Sequence, residues 1–430
     1  MSSKPFALSV VQARDTRGVA RLLAPERSRD LATERLVSTI VGDVRRQGDR
    51  ALMRYARKFD GIDLPVEVSR EEMTEAAAGV PRHVRAALRT AARHIRTVAR
   101  RQVPKGWRVT VAPGIVVEQR VRPLDRVGCY VPGGRYPLPS SLLMTAIPAV
   151  AAGVPEVIAV CPRPEPSVMA AALEAGVSRL FRIGGAHAVA AMAYGTRTVP
   201  RVDKIVGPGN RYVAAAKSLV TADCGIDFYA GPSEIVIVTS GGRASWIAAD
   251  LIAQAEHDPD ARAVLITPSA ALAARVARQV AIQMPGSGPA RAALRAHGGI
   301  IVTASLDEAV DLANAAAPEH LVVDDDRTAA RISCAGSVFV GPWSAQVAGD
   351  YALGSNHVLP TSGAARVRGG LSAADFVRQV TVQRVTEKGL RHIGPTVIAI
   401  AETEGLTAHA ASVALRTGGT VTPRRRGRKG

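Results

Sequence analysis

The chain has 430 residues, of which 47% are apolar and only 4% aromatic, so it is long enough for two or three domains with sizeable cores. It has no apolar run of membrane-spanning length, and its first residues lack the basic start and apolar stretch of a signal peptide. We therefore expect a cytoplasmic protein that has no membrane partner. The four cysteines form no C-x-x-C pair, which argues against a zinc ribbon or a redox pair and predicts free, mostly buried thiols.

The formal net charge of +18 raises nucleic-acid binding as a hypothesis. The arginines concentrate in two places, the stretch 82–102 and the tail 423–430. In the first stretch apolar residues recur every three or four positions, which predicts a helix whose arginines form a solvated face. The tail has no apolar residue and should be disordered. Because no aromatic residue is interleaved with the arginines and no nucleic-acid motif accompanies them, we do not expect nucleic acid as a partner.

Residues 1–122 are predicted to be mostly helical, with an alternating stretch at 107–121 that forms a pair of strands. From residue 123 onward, apolar β-branched runs alternate with alanine-rich helices. The first series predicts strands at 154–162, 178–185 and 202–209, and helices at 166–176, 186–195 and 211–220. The second series predicts strands at 233–240, 262–268, 298–304, 320–325 and 336–341, and helices at 243–257, 270–283 and 306–316.

Two successive series of this kind predict two α/β domains with largely parallel sheets. We place the domain boundaries so that 1–122 is the helical N-terminal region, 123–232 and 233–372 are the two α/β domains, 373–417 is a helical C-terminal arm and 418–430 is a disordered basic tail. In folds of this class, active sites lie beyond the carboxyl ends of the strands and between domains. We expect the active site there.

Three glycine clusters, at 128–134, 182–188 and 207–212, lie next to predicted strand ends, although none has the spacing G-x-G-x-x-G. Glycine allows main-chain N–H groups to approach a phosphate closely. A glycine cluster at such a position is equally explained as a tight turn between strand and helix. Each cluster taken singly favours the turn, and the three together leave nucleotide binding open.

Several polar side chains stand against apolar sequence, where a buried site could form. The predicted helix 243–257 begins apolar and ends with Gln254 and His257 on one face. The other residues of this kind are Ser233 at a strand entrance, Glu319 and His320 before a buried strand, Asp350 and His357 in a glycine-rich loop, and Glu404 and His409 at the start of a helical run. Imidazoles, a carboxylate and an amide oxygen suit Zn²⁺, Mn²⁺ or Co²⁺ better than Ca²⁺.

Each of these residues also has a simpler explanation. Gln254 could cap a helix end, His257 could lie at a solvated helix C-terminus, and Asp350 could form a turn. Glu319, His320 and His409 could belong to a surface or a half-buried face. Spacing alone cannot bring together residues that are so far apart in sequence.

Seven stretches together resemble the histidinol dehydrogenase family, in the family's order and over residues of about 30 to 416. These stretches are VGCYVPGGRYPLPSSLLMTAIPA, VDKIVGPGNRYVAAAK, AGPSEIVIV, ADLIAQAEHDPDA, APEHL, GDYALGSNHVLPTSG and EGLTAHAASVALR. The resemblance implies two related Rossmann-like domains, a helical N-terminal region and a C-terminal arm. It also implies an NAD-dependent, four-electron oxidation of L-histidinol to L-histidine by way of the aldehyde, the last step of histidine biosynthesis.

The resemblance further implies roles for particular residues. Zinc, one ion per subunit, is held by the residues that match the family's ligands, Gln254, His257, Asp350 and His409. His320 matches the catalytic base and Glu319 the acid that activates water for aldehyde hydration. The substrate would contact the metal ligands, His320 and the residues Ser233, His357 and Glu404. NAD would contact Tyr130, Asn210 and His187, and His187 stands where the family usually has glutamine, with a bulkier ring that can carry charge.

The family resemblance also implies a homodimer in which the arm, with Glu404 and His409, completes the partner's site. The family contains relatives that oxidise other small alcohols, such as sulfopropanediol, so an enzyme acting on another amino or sulfonated alcohol is the alternative. GSNHVLPTSG and EGLTAHAASV resemble the histidinol type. A third hypothesis is a basic nucleic-acid-binding protein with a decayed site. The intact set Gln254, His257, Glu319, His320, Asp350 and His409 counts against that hypothesis.

Overall fold

The computed structural model describes residues 6–24, 30–62, 65–133, 136–229 and 231–419. The predicted basic tail lies outside the described residues from position 420 onward. The chain divides into two compact units. The first unit comprises Met1–Val103 and Leu124–Phe376, and the second comprises Pro104–Pro123 and Val377–Gly430.

The N-terminal part of the first unit is largely helical, as predicted. Its elements in chain order are β1 (Val10–Gln12), α1 (Thr16–Leu23), α2 (Leu31–Gln47), α3 (Asp49–Tyr55) with a π-helical continuation Ala56–Asp60, β2 (Glu67–Val68), α4 (Arg70–Ala78) and α5 (Arg82–Gln102). Asp15, Asp30 and Ser69 begin α1, α2 and α4 by accepting a main-chain N–H at the helix N-cap. Strands β1 and β2 were not predicted, because two or three residues carry no readable alternation.

Two strands of the second unit follow, β3 (Trp107–Ala112) and β4 (Ile115–Pro123), which confirm the predicted strand pair. The chain then forms the first large sheet. Its elements are β5 (Arg126–Tyr130), α6 (Pro139–Ala151), β6 (Glu156–Val160), α7 (Pro166–Ala175), β7 (Arg179–Phe181), α8 (Gly185–Tyr194), β8 (Lys204–Val206), α9 (Arg211–Val220) and β9 (Gly225–Ile226). The strand order is β2-β7-β6-β5-β8-β9, with every neighbouring pair parallel except β2 and β7.

The second large sheet repeats this arrangement. Its elements are β10 (Glu234–Val238), α10 (Ala244–Ala255), β11 (Arg262–Thr267), α11 (Ala270–Gln283), α12 (Ala290–His297), β12 (Gly298–Val302), α13 (Leu306–Ala316), β13 (His320–Val323), α14 (Asp326–Ala329), β14 (Ser337–Val340) and α15 (Gln346–Gly349). Short 3₁₀ turns follow at Ala364–Arg366 and Ala373–Phe376. The order is β1-β12-β11-β10-β13-β14, and all pairs are parallel.

The edge strands β1 and β2 come from the N-terminal region. Without them, both sheets have the strand order 3-2-1-4-5, where the strands of each sheet are numbered in the order in which they occur in the chain. The prediction of two related Rossmann-like α/β domains with largely parallel sheets is therefore confirmed. Helices cover both faces of each sheet, so the strands are buried on both sides and are almost continuously apolar. The boundaries near 122, 232 and 372 stay predictions.

The second unit continues with β15 (Val377–Val385), α16 (Glu387–Thr403) and α17 (Thr407–Thr417). Its antiparallel sheet has the order β15-β4-β3, and β15 pairs with β4 over nine residues from Val377 opposite Pro123 to Val385 opposite Ile115. The prediction of a purely helical arm is wrong over 377–385. The stretch VRQVTVQRV is rich in β-branched residues and has a long partner strand, which favours a strand over a helix.

Among the described helices, none is long and apolar enough to cross a membrane. Cys129, Cys161 and Cys224 are buried free thiols, and Cys334 is a partly exposed one.

Candidate active site

The pocket lies between the two large sheets, where the carboxyl edge of the first sheet faces the amino edge of the second. The first sheet contributes loops that follow the carboxyl ends of its strands, Pro132 after β5 and Gly207–Tyr212 after β8. The second sheet contributes residues at the amino ends of its strands, Ser233 before β10 and His320 at the start of β13.

The expectation that the site lies beyond carboxyl ends is therefore right for the first sheet and wrong for the second. The physical reason is the connection between the sheets. Strand β9 ends at Ile226 and β10 begins at Glu234, so only seven residues separate the carboxyl end of a strand in the first sheet from the amino end of a strand in the second.

The cavity has a volume of about 710 Å³, which suits a small substrate with part of a cofactor. Seven of the residues predicted from the sequence line it, and they come from both sheets. These residues are Asn210, Ser233, His257, Glu319, His320, Asp350 and His357. A separate hollow of about 500 Å³ is lined by Asp49, Met53 and four arginines, and none of its lining residues was predicted as a site residue.

Glu319 and His320 form a buried carboxylate–imidazole pair at the start of β13. Both side chains are at most 6% exposed. Oε2 of Glu319 accepts the main-chain N–H of Glu234 at 2.7 Å, and it lies 3.5 Å from Nδ1 of His320. Nδ1 of His320 also lies 3.2 Å from the carbonyl oxygen of Glu234. Strand β10, which pairs with β13, therefore fixes both side chains through the main chain of a single residue.

His320 also faces a second carboxylate, because its Nε2 lies 3.7 Å from Oδ1 of Asp350. Burial opposes the charged imidazole and would lower its pKa. The charges of Glu319 and Asp350 outweigh burial and raise the pKa of His320 to about 10. The imidazole of His320 therefore favours its protonated form as long as no cation neutralises Glu319 or Asp350.

Asp350 follows the short helix α15 and is buried beside two imidazoles. Its Oδ2 accepts the side-chain N–H of Gln346 at 3.0 Å, and its carbonyl oxygen lies 2.9 Å from Nδ1 of His357. Burial would raise the pKa of Asp350, but the nearby His320, His357 and His257 lower it below the ordinary value. Burial lowers the pKa of His357. The carboxylate is therefore ionised and lies close to imidazole nitrogens.

Gln254 and His257 lie at the end of α10, as predicted, but not on one continuous helix. The helix ends at Ala255, and His257 lies in the following turn, because helices usually end at or before the residue that precedes a proline, here Asp258 before Pro259. His257 is exposed and lines the pocket. Gln254 is completely buried, and neither its amide oxygen nor its amide nitrogen has a hydrogen-bond partner among the described residues. A buried amide without a partner costs about 1–3 kcal/mol, so its retention calls for an explanation.

His187 belongs to the glycine cluster 182–188 and Tyr130 contacts it, but neither residue lines the described pocket. The Tyr130 hydroxyl oxygen accepts the main-chain N–H of Gly185 at 2.9 Å. Nε2 of His187 lies 2.8 Å from Oδ2 of Asp60, which also accepts the N–H of Gly184 at 3.2 Å. His187 is only 1% exposed, and in this structure it holds the π-helical segment against the start of α8.

Asn210 begins helix α9, and its side-chain oxygen accepts the main-chain N–H groups of Tyr212 and Val213 at 3.1 and 3.2 Å. The residue is exposed and lines the pocket, so its amide nitrogen is available to a ligand. A helix N-terminus at the carboxyl edge of a parallel sheet is a common site for phosphate groups.

Glu404 and His409 belong to the second unit, at the end of α16 and in the first turn of α17, and both are exposed. Among the described residues, no group of three or more His, Cys, Asp or Glu side chains is arranged to hold a metal ion. Of the four predicted ligands, Gln254 is an amide and His409 belongs to the second unit. The first unit therefore supplies only one acid and one imidazole of the predicted set, Asp350 and His257.

Sequence reasoning missed Glu234, which contacts both members of the Glu319–His320 pair through its main chain. Its side chain is also buried, and its Oε1 accepts the N–H of Ser362, which has a positive φ of 54°. Burial and the neighbouring Glu319 raise the pKa of Glu234 to about 7, against the opposing effect of Arg262. The sequence feature that could have indicated Glu234 is its acidic side chain at the start of the otherwise apolar stretch EIVIV.

Two Rossmann-like sheets with a buried carboxylate–imidazole pair in the cleft between them define a class of α/β enzymes. The family model for histidinol dehydrogenase matches residues 24–417. The histidinol dehydrogenase of Methanothermobacter thermautotrophicus is 48% identical, with 87% of this chain and 91% of the relative covered. That of Gluconobacter oxydans is 47% identical, with 92% and 96% covered.

The crystal structure of histidinol dehydrogenase from Elizabethkingia anophelis superposes with a TM-score of 0.90 at 34% identity, and covers 96% of this chain and 98% of that chain. The chain belongs to the histidinol dehydrogenase family, a family of oxidoreductases of histidine biosynthesis.

Proposed function

We propose that the protein oxidises L-histidinol to L-histidine through the aldehyde, with two molecules of NAD as hydride acceptors. Family membership supports the substrate. The observation that carries the chemistry is the buried Glu319–His320 pair, which opens into a pocket shared with His257, Asp350 and His357. Each oxidation removes a hydride from carbon and a proton from oxygen, so the site needs a base next to the carbinol.

His320 is the proposed base. A carbonyl oxygen can only accept a hydrogen bond, so the 3.2 Å approach of Nδ1 to the Glu234 carbonyl places the proton of a neutral imidazole on Nδ1. Nε2 then carries the lone pair on the side of Asp350 and the pocket. The two nearby carboxylates favour a charged His320, and neutralising Asp350 with a cation would lower the pKa of His320 toward the range in which it can act as a base.

Glu319 is proposed to activate water for the second half of the reaction. The aldehyde must add water before a second hydride can leave, and this addition requires removal of a proton from the water. Glu319 lines the pocket next to His320, and its Oε2 is fixed by the main chain of Glu234. No thiol nucleophile is required, and none of the described pocket-lining residues is a cysteine.

The residues present fit a divalent cation with nitrogen and oxygen ligands. The buried amide of Gln254 has no partner among the described residues, Asp350 is an ionised carboxylate, and His257 is close enough to lower the pKa of that carboxylate. With His409, they would hold zinc, which supplies charge that orients the amino and imidazole nitrogens of the substrate. Ser233, His357 and, from the arm, Glu404 would contact the rest of the substrate.

NAD is proposed to bind along the carboxyl edge of the first sheet. Asn210 would contact it directly, while Tyr130 and His187 would hold the glycine cluster 182–188 in place through their contacts with Gly185 and Asp60. The enzyme is proposed to act as a homodimer, in which Glu404 and His409 of one subunit complete the site of the other. We propose no nucleic-acid partner.

The test is NADH production by the purified protein with L-histidinol and with a panel of small alcohols that includes amino and sulfonated ones. Two NADH per L-histidinol, with slower turnover of every other alcohol, is the expected result. Faster turnover of another alcohol would assign the protein to the alternative function within the same family.

A further inference from the structure

Lys217 and Asp227 form an ion pair that the reaction proposed above does not use. Lys217 lies on α9, and Asp227 follows β9. Their side chains are 4% and 1% exposed, and Nζ of Lys217 contacts Oδ1 of Asp227 directly. Removing two charges from water is expensive, and such a pair contributes little net stability compared with apolar residues of similar size. The pair therefore suggests a role beyond stability.

Both members of the pair bind the main chain of Gly207. Nζ of Lys217 donates to the Gly207 carbonyl oxygen at 3.0 Å, and Oδ2 of Asp227 accepts the Gly207 N–H at 2.8 Å. Gly207 has a φ of +117°, and a Cβ at this position would lie 2.1 Å from the carbonyl oxygen of Tyr130. The start of the loop 207–210 is thus fixed by two charged side chains and by close packing on β5.

The end of the loop is fixed as well, because Asn210 caps helix α9 through two hydrogen bonds. All four residues of the loop line the pocket. The main-chain N–H groups of Gly209 and Asn210 have no hydrogen-bond partner among the described residues. A loop held at both ends therefore contributes two unpaired donors and a helix N-terminus to the cavity, an arrangement that binds phosphate oxygens.

We propose that Lys217 and Asp227 are positioning residues for the dinucleotide, which fix the loop 207–210 so that its free N–H groups meet a phosphate of NAD. This inference rests on the proposed function. Lys217 does not line the pocket, and Asp227, which does, is proposed to act through its bond to Gly207. Since the loop lies at the cofactor side of the pocket, its displacement should weaken NAD binding and leave the binding of the alcohol unchanged.

The decisive variant is the double substitution Lys217→Met with Asp227→Asn, which removes both charges and leaves no isolated buried charge. We expect the KM for NAD to rise about tenfold, because the N–H groups of the loop are no longer held in a fixed orientation. We expect kcat at saturating NAD and the KM for L-histidinol to stay within about twofold of the wild-type values. Calorimetric titration with NAD should give the same loss of affinity without turnover.

The matched control is Lys204→Met with Asp375→Asn. This pair also joins a lysine and an aspartate in the first unit, with Nζ and Oδ1 3.7 Å apart, but neither side chain bonds to the loop. Its KM for NAD should equal that of the wild type. A folded Lys217→Met, Asp227→Asn variant with wild-type affinity for NAD would overturn the proposal. So would an equal loss of NAD affinity in the control variant.

Wild-type protein that makes no NADH from L-histidinol would overturn the proposed function, and the NAD titration of variant and wild type would still test the positioning role. If the double variant does not fold, hydrogen exchange of the wild-type amides decides. The Gly207 amide should exchange slowly without NAD, and those of Gly209 and Asn210 should become protected only when NAD is added. Exchange of Gly207 as fast as Gly209 would reject the inference.

Discussion

Glu234 and Glu319 are two buried carboxylates that lie at the starts of neighbouring parallel strands, and the main-chain N–H of Glu234 donates to Oε2 of Glu319 at 2.7 Å. The same residue, Glu234, has its carbonyl oxygen 3.2 Å from Nδ1 of His320. One peptide segment therefore orients both members of the proposed catalytic pair. Its own side chain is left with a raised pKa, which makes the stability of the fold depend on pH.

The first prediction concerns Glu234→Gln. The folded-state pKa of Glu234 is raised from 4.5 to about 7, so the folded protein binds more protons than the unfolded chain between these values. The wild-type free energy of unfolding should therefore fall as pH rises from about 4.5 to about 7. Glutamine keeps an acceptor for the N–H of Ser362 and removes the charge. The variant should be more stable than the wild type at pH 8, by at most about 3 kcal/mol, and should lose this advantage below pH 5.

Urea unfolding at several pH values measures this difference. The exposed Glu75→Gln serves as the control for the loss of one surface carboxylate. An equal effect of both substitutions at all pH values would show that Glu234 is not responsible for the dependence.

The second prediction concerns His320→Ala. Loss of the base should lower kcat by about 10²–10⁴-fold, because the hydroxyl proton then has no acceptor at Nε2. Bound zinc and the affinity for L-histidinol should be retained, as measured by metal analysis and calorimetry. His83→Ala, at an exposed position of α5, should turn over like the wild type. Unchanged turnover of His320→Ala would reject His320 as the base.

The third prediction separates the two halves of the reaction with Glu319→Gln. An amide can still accept the N–H of Glu234, so the strand ends should stay in place. It cannot take a proton from water. Oxidation of L-histidinaldehyde, supplied directly, should therefore slow more than oxidation of L-histidinol in a single-turnover measurement. Equal slowing of both steps would argue against a role in water activation.

The fourth prediction uses the buried amide of Gln254. If Gln254 is a metal ligand, Gln254→Leu should lower metal content at least about tenfold, since one of the four proposed ligands is lost. The metal-free variant should be as stable as the metal-free wild type, or more stable by about 1–3 kcal/mol, because an unpartnered buried amide is removed. Metal analysis and thermal unfolding after chelation measure the two effects. Full metal content in the variant would remove Gln254 from the ligand set.

The fifth prediction tests the shared site by subunit complementation. His257→Ala and His409→Ala should each be inactive as homodimers. When the two variants are unfolded together and refolded, half of the dimers should be mixed, and each mixed dimer should contain one intact site. Activity should therefore return to about a quarter of the wild-type value. No recovery in dimers shown to be mixed would indicate that each site is built by a single subunit.

The periodicity of apolar residues predicted most of the fold because the strands of both large sheets are buried on two faces. Helices α9, α11 and α13 have the predicted bounds or bounds within a residue of them. Short edge strands such as β2 cannot be predicted in this way, since their pairing is set by a neighbour distant in sequence, here Phe181 opposite Glu67. Strand β15 is a different case, because the β-branched residues of VRQVTVQRV are a local signal for a strand that the prediction of a helical arm did not use.

The sequence by itself determined the alternation of strands and helices, the motifs of the family and the kinds of side chain available for a site, because these depend on residue type and local spacing. Only the tertiary structure decided that the amino edge of one sheet faces the carboxyl edge of the other, and that His320 lies between Glu319 and Asp350. It also decided which polar groups have no partner within the described part of the chain, such as the Gln254 amide, and which buried charges are paired, such as Lys217 with Asp227. Burial and close approach arise from chain segments that meet across long separations, and local sequence does not encode those distances.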